Sequence, residues 1–440
     1  LAFLIAITAG SGLLFGLIPA LQGGRARIEQ ALRSGGRKTT DAVAERRLRR
    51  ALVVAQFAVA APLLVGAGLL IGSLAKLQRV DPGFDSRNLL TLGVSLPPGA
   101  YPDVTDMLSF LDEARARIEG LPGVTAVGFS NGRPPAQYPM ENNFTLPEKP
   151  LPPGATEPSV PWISATPEYF RTIAVPLIEG RTFDELDLTD AAAPVLMVDR
   201  TWAQRFFPGE SAVGRQVVQG GCPTCEPFTI VGVVESARYT GLDDAGNGTA
   251  YWPYWPLLGT DRSGFFFVRT SVAPRSVLPS VRAVLSEIDA SLPLSEVATM
   301  EELLRDDLNT PRYLTLVVAG FAVLALLLSI IGIYGVMANF VLRHKKDIAI
   351  RIAVGGGPAL VARAVVGRGM RLVLAGVVVG IGGALLLTRY MSSLLYEVEA
   401  TDAVTFAFVP ALMLAVAVVA CLLPARRAAA VDPARVLREE

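Results

Sequence analysis

The chain has 440 residues, 51% hydrophobic and 18% charged, with 40 Lys/Arg against 40 Asp/Glu, one His and three Cys. This composition excludes a disulfide scaffold and fits an integral membrane protein with a substantial soluble domain better than either class alone. The zero formal net charge hides a segregation: residues 22–50 hold nine Lys/Arg against three acids, and residues 343–371 seven against one.

In chain order, apolar stretches at 1–21, 51–75, 314–342, 372–387 and 406–423 are each near the roughly 20 residues needed to cross a hydrocarbon core. Short loops rich in Lys/Arg stay cytoplasmic. The basic linker 22–50, the segment 343–371 and the tail 424–440 are therefore expected inside, with the insert 76–313 and the loop 388–405 outside. Residues 1–21 lack the basic leader and cleavage site of a signal peptide and read as a span. Leu17-Ile18-Pro19-Ala20 with Leu32-Arg33 matches Leu422-Leu423-Pro424-Ala425 with Leu437-Arg438 at one displacement of 405 positions. Both share the order apolar span, Pro, basic segment, which reads as a duplication with residues 1–33 ending a preceding half.

The insert predicts an α+β domain. Asn88–Leu96 is strand-like, Asp103–Glu119 sets Val104, Leu108, Leu111, Ile118 and the following Leu121 near one helical face, and Gly123–Phe129 returns as a strand. The order recurs as a strand Phe265–Thr270, a helix Pro274–Asp289 with Val277, Val281, Val284, Leu285 and Ile288 inward, and a strand Leu294–Thr299. The expected fold is a multi-pass α-helical membrane protein with an inserted α+β extracytoplasmic domain, in which two β-α-β units flank a β-rich subdomain at 131–263. A helix Met300–Asp307 is expected to run directly into the third span.

Gly128-Phe129-Ser130-Asn131-Gly132 has the spacing of a nucleophile elbow. A serine triad needs an imidazole within hydrogen-bond reach, and the single histidine, His344, is expected across the membrane. Cys222-Pro223-Thr224-Cys225 has redox spacing, which works at a helix N-terminus. Its strand-like flanks, Arg215–Val218 and Phe228–Val234, favour a small disulfide closing a hairpin loop, and zinc lacks two further ligands. Gly35-Gly36-Arg37-Lys38-Thr39 lacks phosphate-loop spacing and reads as a basic segment among anionic headgroups. The spans hold Gln56 and Asn339 but no charged residue away from their ends, which argues against an ion-coupled carrier. The pairs Gly12/Gly16, Gly68/Gly72 and Gly376/Gly380 suit close helix packing.

Arg343–Gly356 begins cationic, then sets Ile348/Ile352 and Ile350/Val354 at i,i+4 before glycines that end a helix. Such a helix either docks in a partner's groove or lies among headgroups. Its sequence Asp347-Ile348-Ala349-Ile350-Arg351-Ile352-Ala353-Val354-Gly355-Gly356 resembles the cytoplasmic coupling segment, E-I-G-I-R-x-A-L-G-A, of the MacB/FtsX-like family of ABC-transporter permeases. Asp347, Ala349, Val354 and Gly356 replace the family's Glu, Gly, Leu and final Ala. The tail from Pro424-Ala425-Arg426-Arg427 through Val431-Asp432-Pro433 to Leu437-Arg438 is similar to the family's C-terminal signature. Pro176–Phe183, Arg205-Phe206-Phe207-Pro208-Gly209, Val213-Gly214-Arg215 and Ile230–Val234 resemble its periplasmic core. The resemblance covers 51–440 in order, and the repeat further resembles the duplicated, orphan branch, of which this chain is the C-terminal part.

The resemblance implies a non-enzymatic permease subunit. A separate ABC-type ATPase would hydrolyse ATP with Mg and move the spans and the outer domain, for export, extraction of a lipophilic substrate or signalling. This chain would bind no cofactor or metal. Lys346, Asp347, Ile348, Ile350, Arg351 and Val354 are the expected ATPase contact, with Arg343 and Lys345 on headgroups. The implied partners are that ATPase, the preceding half or a second copy, and membrane lipids, with no nucleic acid; the place is the cell inner membrane, with the large domain in the periplasm or outside. The alternative is a membrane-anchored binding or scaffold protein with Tyr251-Trp252-Pro253-Tyr254-Trp255-Pro256 as its aromatic surface, although packing under a strand edge is the favoured reading of that run.

Overall fold

The computed structural model describes residues 40–430 except 136, 153, 189–192, 223–224, 245, 255–261, 355–356 and 391–394. The expected first span, residues 35–39, the first copy of the repeat, Leu437-Arg438 of the second copy and the last part of the tail signature lie outside the described residues. In chain order, α1 (Thr40–Leu77) leads to β1 (Leu89–Ser95), α2 (Val104–Glu119), β2 (Val124–Ser130), β3 (Glu141–Thr145), β4 (Ser159–Ala165), α3 (Tyr169–Ile173), β5 (Leu177–Gly180) and β6 (Val195–Asp199). Then come α4 (Arg200–Phe206), β7 (Gln216–Gln219), β8 (Phe228–Val234), β9 (Ala250–Pro253), β10 (Ser263–Thr270), α5 (Pro274–Ile288) and β11 (Leu294–Thr299). The chain closes with α6 (Met300–Asp307), α7 (Asn309–Arg343), α8 (Lys345–Ala353), α9 (Pro358–Tyr390) and α10 (Ala403–Ala429). Gly66–Phe321 with Thr388–Thr405 form one compact unit, and the remaining described residues form the other.

The two β-α-β units of the outer domain interleave. Their strands lie in the order β11-β1-β10-β2, antiparallel throughout, which is the split β-α-β arrangement. Successive side chains on a strand point to opposite faces. Leu90, Leu92, Phe266 and Val268 therefore meet α2 and α5, while Leu89, Phe265 and Phe267 join Tyr169 and Phe170 of α3 in a second core. The buried side chains of α5 are Val277, Val281 and Leu285. Those of α2 are Met107, Phe110, Leu111, Ala114 and Ile118. Leu111 and Ile118 of the expected stripe are buried and Leu108 and Leu121 pack against the same core, while Met107, Phe110 and Ala114 extend it, because the seam runs along the 107–111–114–118 line at helical spacing.

The β-rich subdomain is a ring. Strands β4-β3-β7-β8-β6-β9 pair in sequence, and β9 returns to pair in parallel with β4. Alternate residues Val160/Trp162, Leu196/Val198, Phe228/Ile230 and Ala250/Trp252 share one core with Phe144 and Trp202. A closed ring removes exposed strand edges. The aromatic surface that the alternative scaffold reading needs at Tyr251–Tyr254 is not formed, and these residues pack beneath the strands instead. Tyr251 is 1% and Trp252 5% exposed, because β9 is covered on both faces, Trp252 entering the ring core and Tyr251 the neighbouring one. Trp255 and Pro256 lie outside the described residues.

Among the described residues, four helices are long and apolar enough to cross a membrane: Arg47–Leu77, Met300–Arg343, Pro358–Tyr390 and Ala403–Ala429. They outrun the apolar stretches. Helix α1 reaches back into the expected 22–50 linker, α9 begins at Pro358 and not near 372, and α10 continues past Pro424 to Ala429. Hydropathy marks where lipid contact begins, whereas the helix continues for as long as its backbone bonds are met. Pro358 suits the first helical turn, where its missing N–H costs nothing. The segment 343–371 consequently holds the last residue of α7, α8 and the first turns of α9.

Candidate functional site

The expected coupling segment forms α8, set off from α7 by a kink at His344, whose backbone leaves helical geometry (φ −110°, ψ 20°). The His344 ring stacks on Phe340 with centroids 4.3 Å apart, and its Nδ1 lies 2.9 Å from the Phe340 carbonyl oxygen. One face of α8 is covered: Ile348 is 7% exposed and Ala349 fully buried. The opposite face presents Lys346, Asp347 and Arg351 with two apolar side chains, Ile350 at 50% and Val354 at 83% exposure. Five of the six expected ATPase-contact residues therefore lie on the open face. Ile348 does not: with Ile352, its i+4 neighbour, it belongs to the stripe that seats the helix. Exposed apolar side chains beside charges on so short a helix are a surface suited to a partner.

Near the start of α8, helices α1, α7 and α9 line an open cleft of about 290 Å3 with Arg49, Arg50, Arg343, Arg368 and Arg371 on its walls. The Arg368 guanidinium stands 4.7 Å from the centroid of the Phe340 ring, and Arg343 Nε donates to Asn339 Oδ1 at 3.0 Å. Val336, Met337 and Leu372 make an apolar floor. Of the two expected headgroup residues, Arg343 lines this cleft; Lys345 is exposed and does not. Arg49, Arg50, Arg368 and Arg371 were not singled out by the sequence. The available signal was that Arg50 and Arg371 border apolar stretches, as Arg343 does.

Helix α9 approaches α1 through its glycine pair. A Cβ on Gly376 would fall 2.6 Å from Phe57 Cβ, and one on Gly380 2.6 Å from Ala61 Cβ. Both separations are closer than carbon atoms tolerate, so the small-xxx-small spacing is an interface here.

Ser130 is fully buried at the end of β2, its Oγ accepting from Gly132 N–H at 3.2 Å, with no helix following to make a nucleophile elbow. Cys222 and Cys225 are joined by a disulfide between β7 and β8. No cluster of His, Cys, Asp and Glu suited to a metal occurs among the described residues. Asp199 caps α4, its Oδ1 accepting from Trp202 N–H at 2.8 Å. Burial outweighs these hydrogen bonds and pushes its carboxyl up to about 7.

Residues 51–288 match the MacB-like periplasmic core domain, and residues 319–433 the FtsX-like permease C-terminal domain. The chain is 28% identical over 285 residues to a probable export ATP-binding/permease protein MacB of Pseudomonas entomophila, covering 62% of this chain and 41% of that protein. It is 26% identical over 288 residues to the macrolide export ATP-binding/permease protein MacB of Acinetobacter baylyi, again 62% of this chain and 41% of the relative. It thus spans less than half the length of these curated relatives. The periplasmic region of MacB from Actinobacillus actinomycetemcomitans aligns over 53% of this chain and 98% of its own, with 16% identity and a TM-score of 0.35.

Proposed function

The chain belongs to the MacB/FtsX-like family of ABC-transporter permeases, and from that premise we propose that it carries motion from an ABC-type ATPase to its extracytoplasmic domain, in the cell inner membrane. The observation that carries this reading is α8, one face seated by Ile348 and Ala349 and the other open with Lys346, Asp347, Ile350, Arg351 and Val354. Two nearby basic residues and two apolar ones suit a groove with an acidic rim and an apolar floor. For such a contact to do work, the ATPase must bind two arrangements of the permease with different affinity. ATP and Mg act on the ATPase, and this chain serves as the transmitting part. A second permease half, the preceding one or another copy, completes the pair. Export is the direction given in the relatives' names, and it is the direction proposed here.

Capture of the full-length protein from mild detergent with ATP and vanadate, followed by mass spectrometry, tests the contact. Recovery of an ABC ATPase that the Lys346→Glu/Arg351→Glu variant releases, while the variant inserts and folds, is the expected result. An ATPase retained equally by that variant, or absent under every nucleotide condition, would overturn it.

A further inference from the structure

We infer that the arginine cleft between α1, α7 and α9 is a binding site for the phosphate of an anionic phospholipid. Five guanidiniums from three helices line it, and no Asp or Glu does. Among the described residues no carboxylate lies within ion-pair distance of Arg50, Arg368 or Arg371. Gathering Arg50, Arg368 and Arg371 around a partly apolar pocket is unfavourable unless an anion joins them, and the planar fork of Arg matches phosphate oxygens two at a time. Two of the cleft's side chains are held in place: Arg343 by Asn339, and Arg368 over the Phe340 ring, which also stacks on the His344 ring.

The source of the phosphate follows from position. Arg50 directly precedes the apolar stretch beginning at Ala51, Arg343 directly follows Leu342, and Arg371 directly precedes Leu372. The guanidiniums therefore stand where span gives way to cytoplasm, at the depth of lipid headgroups. The floor of Val336, Met337 and Leu372 offers apolar contact to the glycerol and first methylenes of a lipid, contact that a soluble phosphate does not use. Phe340 and His344 link the cleft to the kink from which α8 begins, so a bound lipid would brace the helix that carries the proposed ATPase contact. The site itself does not depend on that contact.

Full-length protein in detergent is titrated with short-chain phosphatidylglycerol, with phosphatidylcholine of the same chain length, and with inorganic phosphate, following lipid retention by native mass spectrometry and Tm. Phosphatidylglycerol should be retained and raise Tm, phosphatidylcholine should do neither, and added salt should weaken the effect. Arg371→Gln should weaken retention about fivefold and Arg368→Gln/Arg371→Gln about 25-fold, at about 1 kcal/mol for each basic residue near the headgroups. Lys345→Gln, outside the cleft, should leave it unchanged. Equal stabilisation by inorganic phosphate would overturn the lipid assignment in favour of a soluble anion. Unaltered lipid retention by the double variant, with loss of a captured ATPase, would assign the arginines to a protein contact. A double variant that fails to fold leaves Arg371→Gln and Arg50→Gln to decide: neither changing retention refutes the site.

Discussion

The outer domain buries its largest side chains, and the membrane unit packs through its smallest. Trp162, Trp202, Tyr169, Phe266 and Phe267 are essentially inaccessible among the strands. Helix α9 instead meets α1 through Gly376 and Gly380 against Phe57 and Ala61. In water, removing apolar area is itself the driving force, so bulk is rewarded. In lipid the surroundings are as apolar as the interior, and only close approach with good packing favours one helix neighbour over another. The share of protein burial follows: 50% of the most apolar window of Arg47–Leu77 is buried, against 17% for Met300–Arg343. Leu324, Leu327, Leu328 and Ile331 of α7 are accordingly exposed.

The largest effect that probes this contrast is Trp162→Ala, which should cost about 3–5 kcal/mol by emptying the ring core. Chemical unfolding of the full chain in detergent, followed by near-ultraviolet circular dichroism, reads it; a loss below about 1 kcal/mol would mean that the ring is not a cooperative core. In the membrane unit, enlarging a residue should do the damage. Gly380→Leu should cost about 1–3 kcal/mol by forcing α9 off Ala61, whereas Gly382→Leu has open space at its Cβ position and should leave Tm nearly unchanged. Equal Tm values for the two variants would remove the glycine interface from the account. The smallest effect concerns acidity. Folded Asp199 keeps its proton up to about 7, whereas its ordinary value is 3.8, so between these values the folded state binds the extra proton. Stability should fall as pH rises through that window and level off above it. Tm measured from pH 5 to 8 should show the slope, and Asp199→Asn should flatten it; a slope that survives the substitution belongs to another group.

Much of the outer domain was legible because strand and helix periods are local. The strands at Leu294–Thr299 and Phe228–Val234 fall where alternation placed them, and Val277, Val281 and Leu285 face inward as their spacing required. For the aromatic run at 251–254, alternation does not say whether the second face of a strand is solvated; β9 has a core on each side. In α8 the amphipathic pattern identified a helix with an open face. It did not say which of two apolar pairs seats it, since Ile348/Ile352 and Ile350/Val354 have the same spacing and only packing against the neighbouring helices separates them.

The sequence by itself determined how many described helices are apolar enough to cross a membrane, which short segments are basic, and the order of strands and helices in the two β-α-β units, because hydropathy, charge and periodicity reside in contiguous residues. Tertiary structure alone decided the interleaving of the two β-α-β units, the closure of β9 onto β4, the partner of the α9 glycine pair and the convergence of Arg49, Arg50, Arg343, Arg368 and Arg371 on one cleft. Each of these joins residues far apart in the chain. Which distant residues meet is set by the shapes of the buried faces, and no local pattern carries that information.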